Sequence, residues 1–241
     1  MVIAYPPNWA GIGQPVSIEQ IEAVILGTVS GLDCNCIALS GGLDSALLFW
    51  FLLKTKRAIK AFTIGNSESH PDVEYSRLLV RGYNNVAHDV FVPSPKEIEE
   101  EQRDGDLPGD GAVRLFYKFV AQHTDSIMAG DGIDEFMCGY YDHQRNPGEK
   151  TYYDYLERLQ SDQLAPLNSN SMGVNVLLPY LDSRLLSLLT RIPTRLKVDK
   201  GRRKILMMDL AKDKVPAAII DRHKYGFCDA FRVKENINVG T

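Results

Sequence analysis

Residues 40–45 read Ser40-Gly41-Gly42-Leu43-Asp44-Ser45, and their setting decides the fold. Ahead of them, residues 34–39 form a short run ending in the apolar Ile37-Ala38-Leu39 that reads as a buried strand. Behind them, residues 45–56 carry Ala46, Leu47, Leu48, Phe49, Trp50, Phe51, Leu52 and Leu53 and read as a largely buried helix. A strand, a glycine-rich turn and a helix in that order make an anion site. Glycines let the backbone approach closely, and a helix N-terminus offers unpaired N–H groups and the positive end of its dipole. Ser40 and Ser45 add hydroxyl donors. The turn lacks a Gly-Lys-Ser/Thr ending, so it is not the loop that grips a γ-phosphate for transfer. Asp44 sets a carboxylate among the phosphates, which is favourable only if a divalent cation bridges them.

Outward from this turn, short apolar strands alternate with amphipathic segments, which predicts an α/β domain with a parallel twisted sheet flanked by helices. Ser17 is positioned to cap a helix through Ile18, Ile21, Val24 and Ile25. Further strands are expected at 58–64, 86–92 and 126–129, with helices opening at Pro71 and spanning 112–122. Beyond about residue 150 no more strands are expected. Segments 152–164, 183–190, 203–212 and 216–221 predict a C-terminal helical lobe. The chain is thus read as one domain over 1–241: an N-terminal arm and helix at 1–31, a nucleotide-binding core at 32–150 and the lobe at 151–241. The acidic stretch 104–111 reads as an exposed, flexible loop. It does not follow the calcium-loop order and has no terminal Glu.

With 241 residues, 44% hydrophobic and 24% charged, the chain has an ordinary globular composition and is long enough for a substantial core. A net charge of −4 argues against a nucleic-acid partner. No apolar run reaches the roughly 18–20 residues of a membrane span. The first seven residues lack a basic stretch followed by an apolar one, so no signal peptide is expected. Cys34 and Cys36 fall on one face of a strand and read as core residues, and the expected compartment is the cytoplasm.

Three downstream segments narrow the chemistry. Gly130-Asp131-Gly132-Ile133-Asp134-Glu135, followed by Cys138-Gly139-Tyr140-Tyr141, again leaves a strand through a glycine-bounded turn. In a parallel sheet two such turns share the carboxyl edge where ligands bind. Asp44 and Asp134 can then converge on one Mg²⁺, with Asp131 facing the reacting centre. In Leu178-Pro179-Tyr180-Leu181-Asp182-Ser183, Asp182 is suited to cap the following helix. In Asp221-Arg222-His223-Lys224-Tyr225-Gly226-Phe227-Cys228-Asp229, the cations Arg222 and Lys224 suit a leaving pyrophosphate or a developing negative charge.

The six-residue turn resembles the signature of the PP-loop, or N-type ATP pyrophosphatase, superfamily, whose members cleave ATP between the α- and β-phosphates. With the three later segments in this order, the chain resembles the synthetase domain of asparagine synthetases and their β-lactam- and carbapenam-forming relatives. That family carries Ser-Gly-Gly-Leu-Asp-Ser, a Gly-Asp/Glu-Gly-x-Asp-Glu turn with a following Gly-Tyr, then Pro-Phe-Leu-Asp and Arg-x-Lys-x-x-Phe. The resemblance runs from about Cys34 to Asp229. It implies that Leu39, Ser40, Gly41, Gly42, Asp44, Ser45, Ile64 and Gly130 contact ATP, and that Asp44 and Asp134 hold Mg²⁺. It further implies that Asp131 and Asp182 lie near the substrate or acyl-adenylate, while Lys224 serves pyrophosphate. Lys204 also matches a family lysine.

The implied activity is adenylation of a carboxylate, aspartate being the leading candidate, followed by attack of ammonia or another amine. Some 30 residues precede the first strand, too few for a glutaminase domain, so ammonia, an amine or a separate glutaminase subunit is expected to supply nitrogen. A homodimer is compatible with this reading. Asn175 and Leu177 depart from the family, which commonly has Glu and Arg there, and this sets aspartate in question. Two other readings stay open: a tRNA-modifying PP-loop enzyme, and an ATP-binding homologue without an acyl site.

Overall fold

A computed structural model describes residues 15–222 of the chain. Helix α1 (Ile18–Gly31) starts at Ser17, whose hydroxyl accepts the Gln20 amide while the Gln20 side chain accepts the Ser17 amide, a reciprocal cap. The chain continues through β1 (Cys36–Ala38), α2 (Leu43–Lys54), β2 (Ile59–Ile64), α3 (Pro71–Val80) and β3 (Val86–Phe91). It then forms α4 (Pro95–Glu100), α5 (Asp110–Val120), β4 (Ser126–Met128), α6 (Ile133–Met137), α7 (Tyr141–Arg145), α8 (Glu149–Leu159) and α9 (Ala165–Asn170). The last elements are β5 (Asn175–Leu177), α10 (Ser183–Leu189), α11 (Ile205–Ala211) and α12 (Ala217–Ile220).

The sheet is parallel throughout, in the order β3-β2-β1-β4-β5. Ile37 at its centre is flanked by Ala61 on β2 and Met128 on β4. The chain winds outward from β1 to β3, then crosses back to lay β4 on the other side of β1. That reversal is the topological switch point, where the carboxyl ends of two neighbouring strands open a crevice for a ligand. Helix α2 is apolar nearly all round because it is enclosed: Leu47, Leu48, Phe51 and Leu52 have no exposed surface. Each such side chain contributes about 2 kcal/mol through burial. No helix among the described residues is long and apolar enough to cross a membrane.

The expectation that strands end near residue 150 is corrected by β5. Its three residues pair with β4 through Ser126–Asn175, Ile127–Val176 and Met128–Leu177. A strand this short carries no readable alternation, and only its partner defines it. The last third of the chain therefore completes the sheet as well as forming helices.

The acidic stretch 104–111 is exposed along half its length but fastened, which corrects the flexible-loop reading. The buried Arg114 donates from Nη1 to Asp106 Oδ1 (3.0 Å) and Asn170 Oδ1 (2.9 Å), and from Nε to Glu101 Oε1 (2.8 Å). A guanidinium that is 2% exposed needs such partners, since an unpaired buried charge is strongly unfavourable. Cys34 and Cys36 are core residues, as the sequence suggests.

Candidate functional site

Between β1 and α2 the chain holds itself in shape. The Ser40 amide donates to Ser45 Oγ (3.3 Å), Ser45 Oγ donates to the Gly42 carbonyl (3.1 Å), and the Gly42 amide donates to Ser40 Oγ (3.3 Å). Gly42 sits at the N-cap of α2 and no side chain caps that end, so the first turn presents its amides to the crevice. Gly41 adopts φ +68°, and a Cβ there would lie 2.5 Å from Tyr75 Cβ and 2.7 Å from the Ser76 nitrogen. The loop thus rests on the backbone of α3, where only glycine fits.

The crevice is a cleft of about 740 Å³, within the usual range for a small-molecule site. Of the residues assigned to ATP, Leu39, Ser40, Gly42, Asp44, Ser45, Ile64 and Gly130 line it. Gly41 stands behind them against α3. Asp131 and Asp134 line the same cleft from the turn after β4.

Asp44 and Asp134 converge on one cation. Lys204 Nζ lies 2.5 Å from Asp44 Oδ2 and 2.5 Å from Asp134 Oδ1. Burial works against the Lys204 charge, but the two carboxylates outweigh it and hold the ammonium above its ordinary value. Lys204 takes a left-handed backbone at the N-cap of α11, which directs this side chain back towards the sheet edge. Gly139 makes room for it: a Cβ at that position would stand 1.7 Å from Asp134 Oδ1 and 2.1 Å from Lys204 Cε. The Tyr180 hydroxyl, fully buried, donates to the Asp44 carbonyl at 2.9 Å and fixes the start of α2. Two carboxylates at one point, beside an open helix N-terminus, suit Mg²⁺, which commonly takes one or two protein carboxylates and completes its shell with phosphate and water.

Beside this pair the Tyr140 hydroxyl donates to Glu135 Oε1 at 2.6 Å, and the Tyr140 amide donates to His143 Nδ1 at 3.2 Å. Burial, and then the Glu135 charge, push the Tyr140 phenol far above its ordinary range, so it stays a donor. Asp131 is exposed at the mouth of the cleft and adds to the burial that raises the Tyr117 phenol. Glu135 and Tyr140 belong to one motif, but nothing in the sequence pairs them. Their five-residue separation straddles a helix end at Cys138, where helical spacing rules no longer apply.

Asp182, Asn175 and Leu177 lie apart from this cluster. Asp182 does not line the cleft. Its Oδ1 accepts the Arg184 amide (2.8 Å) at the start of α10, the Arg184 guanidinium pairs with both oxygens, and Thr28 Oγ1 donates to Oδ2 (3.0 Å). The Arg184 side chain is the main reason its carboxyl falls to about 2. Asn175 and Leu177 sit on β5, away from the cleft lining. Lys224 lies outside the described residues. Arg222, two positions earlier, does reach the site, donating from Nη1 to the Ser40 carbonyl at 2.8 Å and pairing through Nη2 with Asp72.

The chain matches the family model described as asparagine synthase over residues 35–171 and 151–238. Among solved structures it is similar to NMN synthetase from Francisella tularensis, at 15% identity and a TM-score of 0.53. That likeness covers 89% of this chain and 78% of the other, and it extends to the fold. It also matches NH3-dependent NAD synthetase from Campylobacter jejuni at 16% identity and a TM-score of 0.38, over 81% of this chain and 97% of that one. No curated protein matches the chain.

Proposed function

The chain belongs to the asparagine synthase family, and from that premise we propose that it is an ATP- and Mg²⁺-dependent amide ligase of the AMP-forming kind. The observation that carries this reading is the meeting of Asp44, Asp134 and Lys204 beside the uncapped start of α2. It supports a triphosphate lying across the switch point, with adenine towards Leu39 and Ile64 and phosphates over Ser40–Ser45. Asp44 and Asp134 would hold Mg²⁺, which when bound offsets the charge of the phosphates and eases pyrophosphate departure.

In the first step a carboxylate oxygen of the substrate attacks the α-phosphorus, the bond to the bridging oxygen breaks and pyrophosphate leaves. In the second, ammonia or an amine attacks the acyl carbon of the mixed anhydride, loses a proton and expels AMP. Gly130 would contact ATP, Asp131 would lie near the acyl group, and Lys224 is assigned to pyrophosphate. Holding both partners in one cleft supplies orientation, an effect worth several kcal/mol in related chemistry. Aspartate is the leading acyl substrate, with ammonia, an amine or a separate glutaminase subunit as nitrogen source.

The test is AMP and pyrophosphate release by the full chain, with Mg·ATP and ammonium, across a panel of carboxylates that includes aspartate. AMP with aspartate supports asparagine formation. AMP only with another acid keeps the ligase and removes aspartate, whereas no AMP with any acid overturns the proposal.

A further inference from the structure

Three segments distant in sequence meet at the back of the phosphate loop. Arg222, which follows α12, donates to the Ser40 carbonyl at 2.8 Å and forms an ion pair with Asp72 of α3. Its side chain is 5% exposed and that of Asp72 12%. The guanidinium carbon also stands 4.7 Å from the Tyr75 ring, one turn further along α3. Tyr75 is the residue whose Cβ leaves no space for a side chain at Gly41. One face of α3 therefore meets the loop twice, directly at Gly41 and through Arg222 at Ser40.

Asp72 is itself well fixed. Pro71 opens α3 with its pre-set φ, and the Asp72 amide donates to the His70 ring nitrogen Nδ1 at 3.1 Å. A carboxylate in the first turn of a helix is favoured by the dipole. The Ser40 carbonyl, by contrast, is an acceptor in a loop that must present donors to phosphate. A guanidinium bonded to it offsets that partial charge, and the planar fork of arginine can serve a carbonyl and a carboxylate together, which the single ammonium of lysine does less well.

We propose that Asp72 is a positioning residue, which holds the Arg222 guanidinium on the Ser40 carbonyl and so braces the phosphate loop for Mg·ATP. This inference rests on the ATP-binding reading given above. It assigns a part to α3 that neither the loop motif nor the metal pair requires.

The experiment uses the full chain and its Asp72→Asn, Asp72→Glu, Arg222→Lys and Arg222→Ala variants. Mg·ATP binding is measured by calorimetry beside the thermal midpoint of each ligand-free protein. Loss of one charge-assisted contact predicts about tenfold weaker Mg·ATP binding in Asp72→Asn, a midpoint close to that of the parent, and recovery of most of the affinity in Asp72→Glu. Arg222→Lys stays weak, while added guanidinium restores part of the affinity of Arg222→Ala. Asp72→Asn binding within twofold of the parent would overturn the brace, and so would equal loss in Asp72→Asn and Asp72→Glu with a parallel fall in midpoint. Should Asp72→Asn not fold, the Arg222 variants decide: guanidinium recovery supports the brace and its absence overturns it. A parent chain that binds no Mg·ATP overturns the ATP reading instead, which separates the two failures.

Discussion

The Nζ of Lys204 lies 2.5 Å from Oδ2 of Asp44, a contact that spans 160 positions of sequence. The same ammonium is 2.5 Å from Asp134. Two carboxylates drawn together without a cation would repel, and the lysine supplies the charge that lets them stay close. Lys204 thus holds the two carboxylates together at the carboxyl edge of the sheet.

Lys204→Met tests that role. Removing the cation from a buried cluster is expected to lower stability by about 3 kcal/mol, because two carboxylates are left facing each other. Mg²⁺ at millimolar concentration should then stabilise the variant more than the parent, by replacing the missing charge. Urea unfolding with and without Mg²⁺ measures both. Equal increments from Mg²⁺ in the two proteins would show that Lys204 does not compete with the ion, and no increment in either would exclude Asp44 and Asp134 as a metal pair.

Gly139→Ala strikes the same cluster from the side. The atoms its Cβ would meet are the ends of two side chains, Asp134 Oδ1 and Lys204 Cε, which can swing away. The fold should survive and the pairing should not. We expect AMP formation to fall by two orders of magnitude or more, an effect on the scale of losing an electrostatic contact at the reacting centre. The thermal midpoint should fall by about 2–4 °C, as for roughly 1 kcal/mol in a chain of this length. A variant as active as the parent would show that the Asp134–Lys204 contact is dispensable.

Much of the fold was legible because the deciding signals are local. The apolar run before Ser40, the glycines after it and the enclosed helix behind it name a strand, an anion turn and a helix without long-range information. Ser17 and Pro71 marked the starts of α1 and α3 for equally local reasons, a cap and a pre-set φ. What escaped depends on partners. β5 is three residues long and exists through its pairing with β4. Asp106 lies in a stretch of turn-forming residues, yet the buried Arg114 binds it from the next helix. Asp72 reads as an ordinary first-turn carboxylate until Arg222 arrives from 150 positions away. Within the site, motif spacing placed Asp44 and Asp134 on one edge, but only the left-handed turn at Lys204 brings the cation between them.

Lys197 makes a prediction about pH. It is fully buried and donates to the Tyr152 hydroxyl at 2.8 Å, and burial pulls its ammonium down to about 7 against a small opposing effect of Cys138. The unfolded chain holds that proton up to about pH 10.4. Between about pH 7 and 10 the unfolded state therefore binds the extra proton, and stability contributed through this group rises with pH, by up to about 1.4 kcal/mol per unit. Lys197→Met should flatten this rise. Urea midpoints at pH 7, 8 and 9 compare the two proteins, and parallel slopes would remove Lys197 as the cause.

Asp182 separates a capping role from an acyl-site role. Arg184 depresses its carboxyl to about 2, below the unfolded value near 3.9. A depressed acid stabilises the fold above the unfolded value, and that contribution is lost as pH falls from about 4 towards 2. Asparagine caps a helix about as well as aspartate but carries no charge, whereas alanine gives up the cap at a cost of about 1 kcal/mol. Asp182→Asn should thus keep most of its stability at pH 7 and lose the steep dependence below pH 4, and Asp182→Ala should be weaker throughout. Because the side chain faces Thr28 and Arg184 away from the cleft, AMP formation by Asp182→Asn is expected within about twofold of the parent, as for a surface change remote from the site. A hundredfold loss of activity at unchanged stability would instead place Asp182 at the acyl group, as the family resemblance implies.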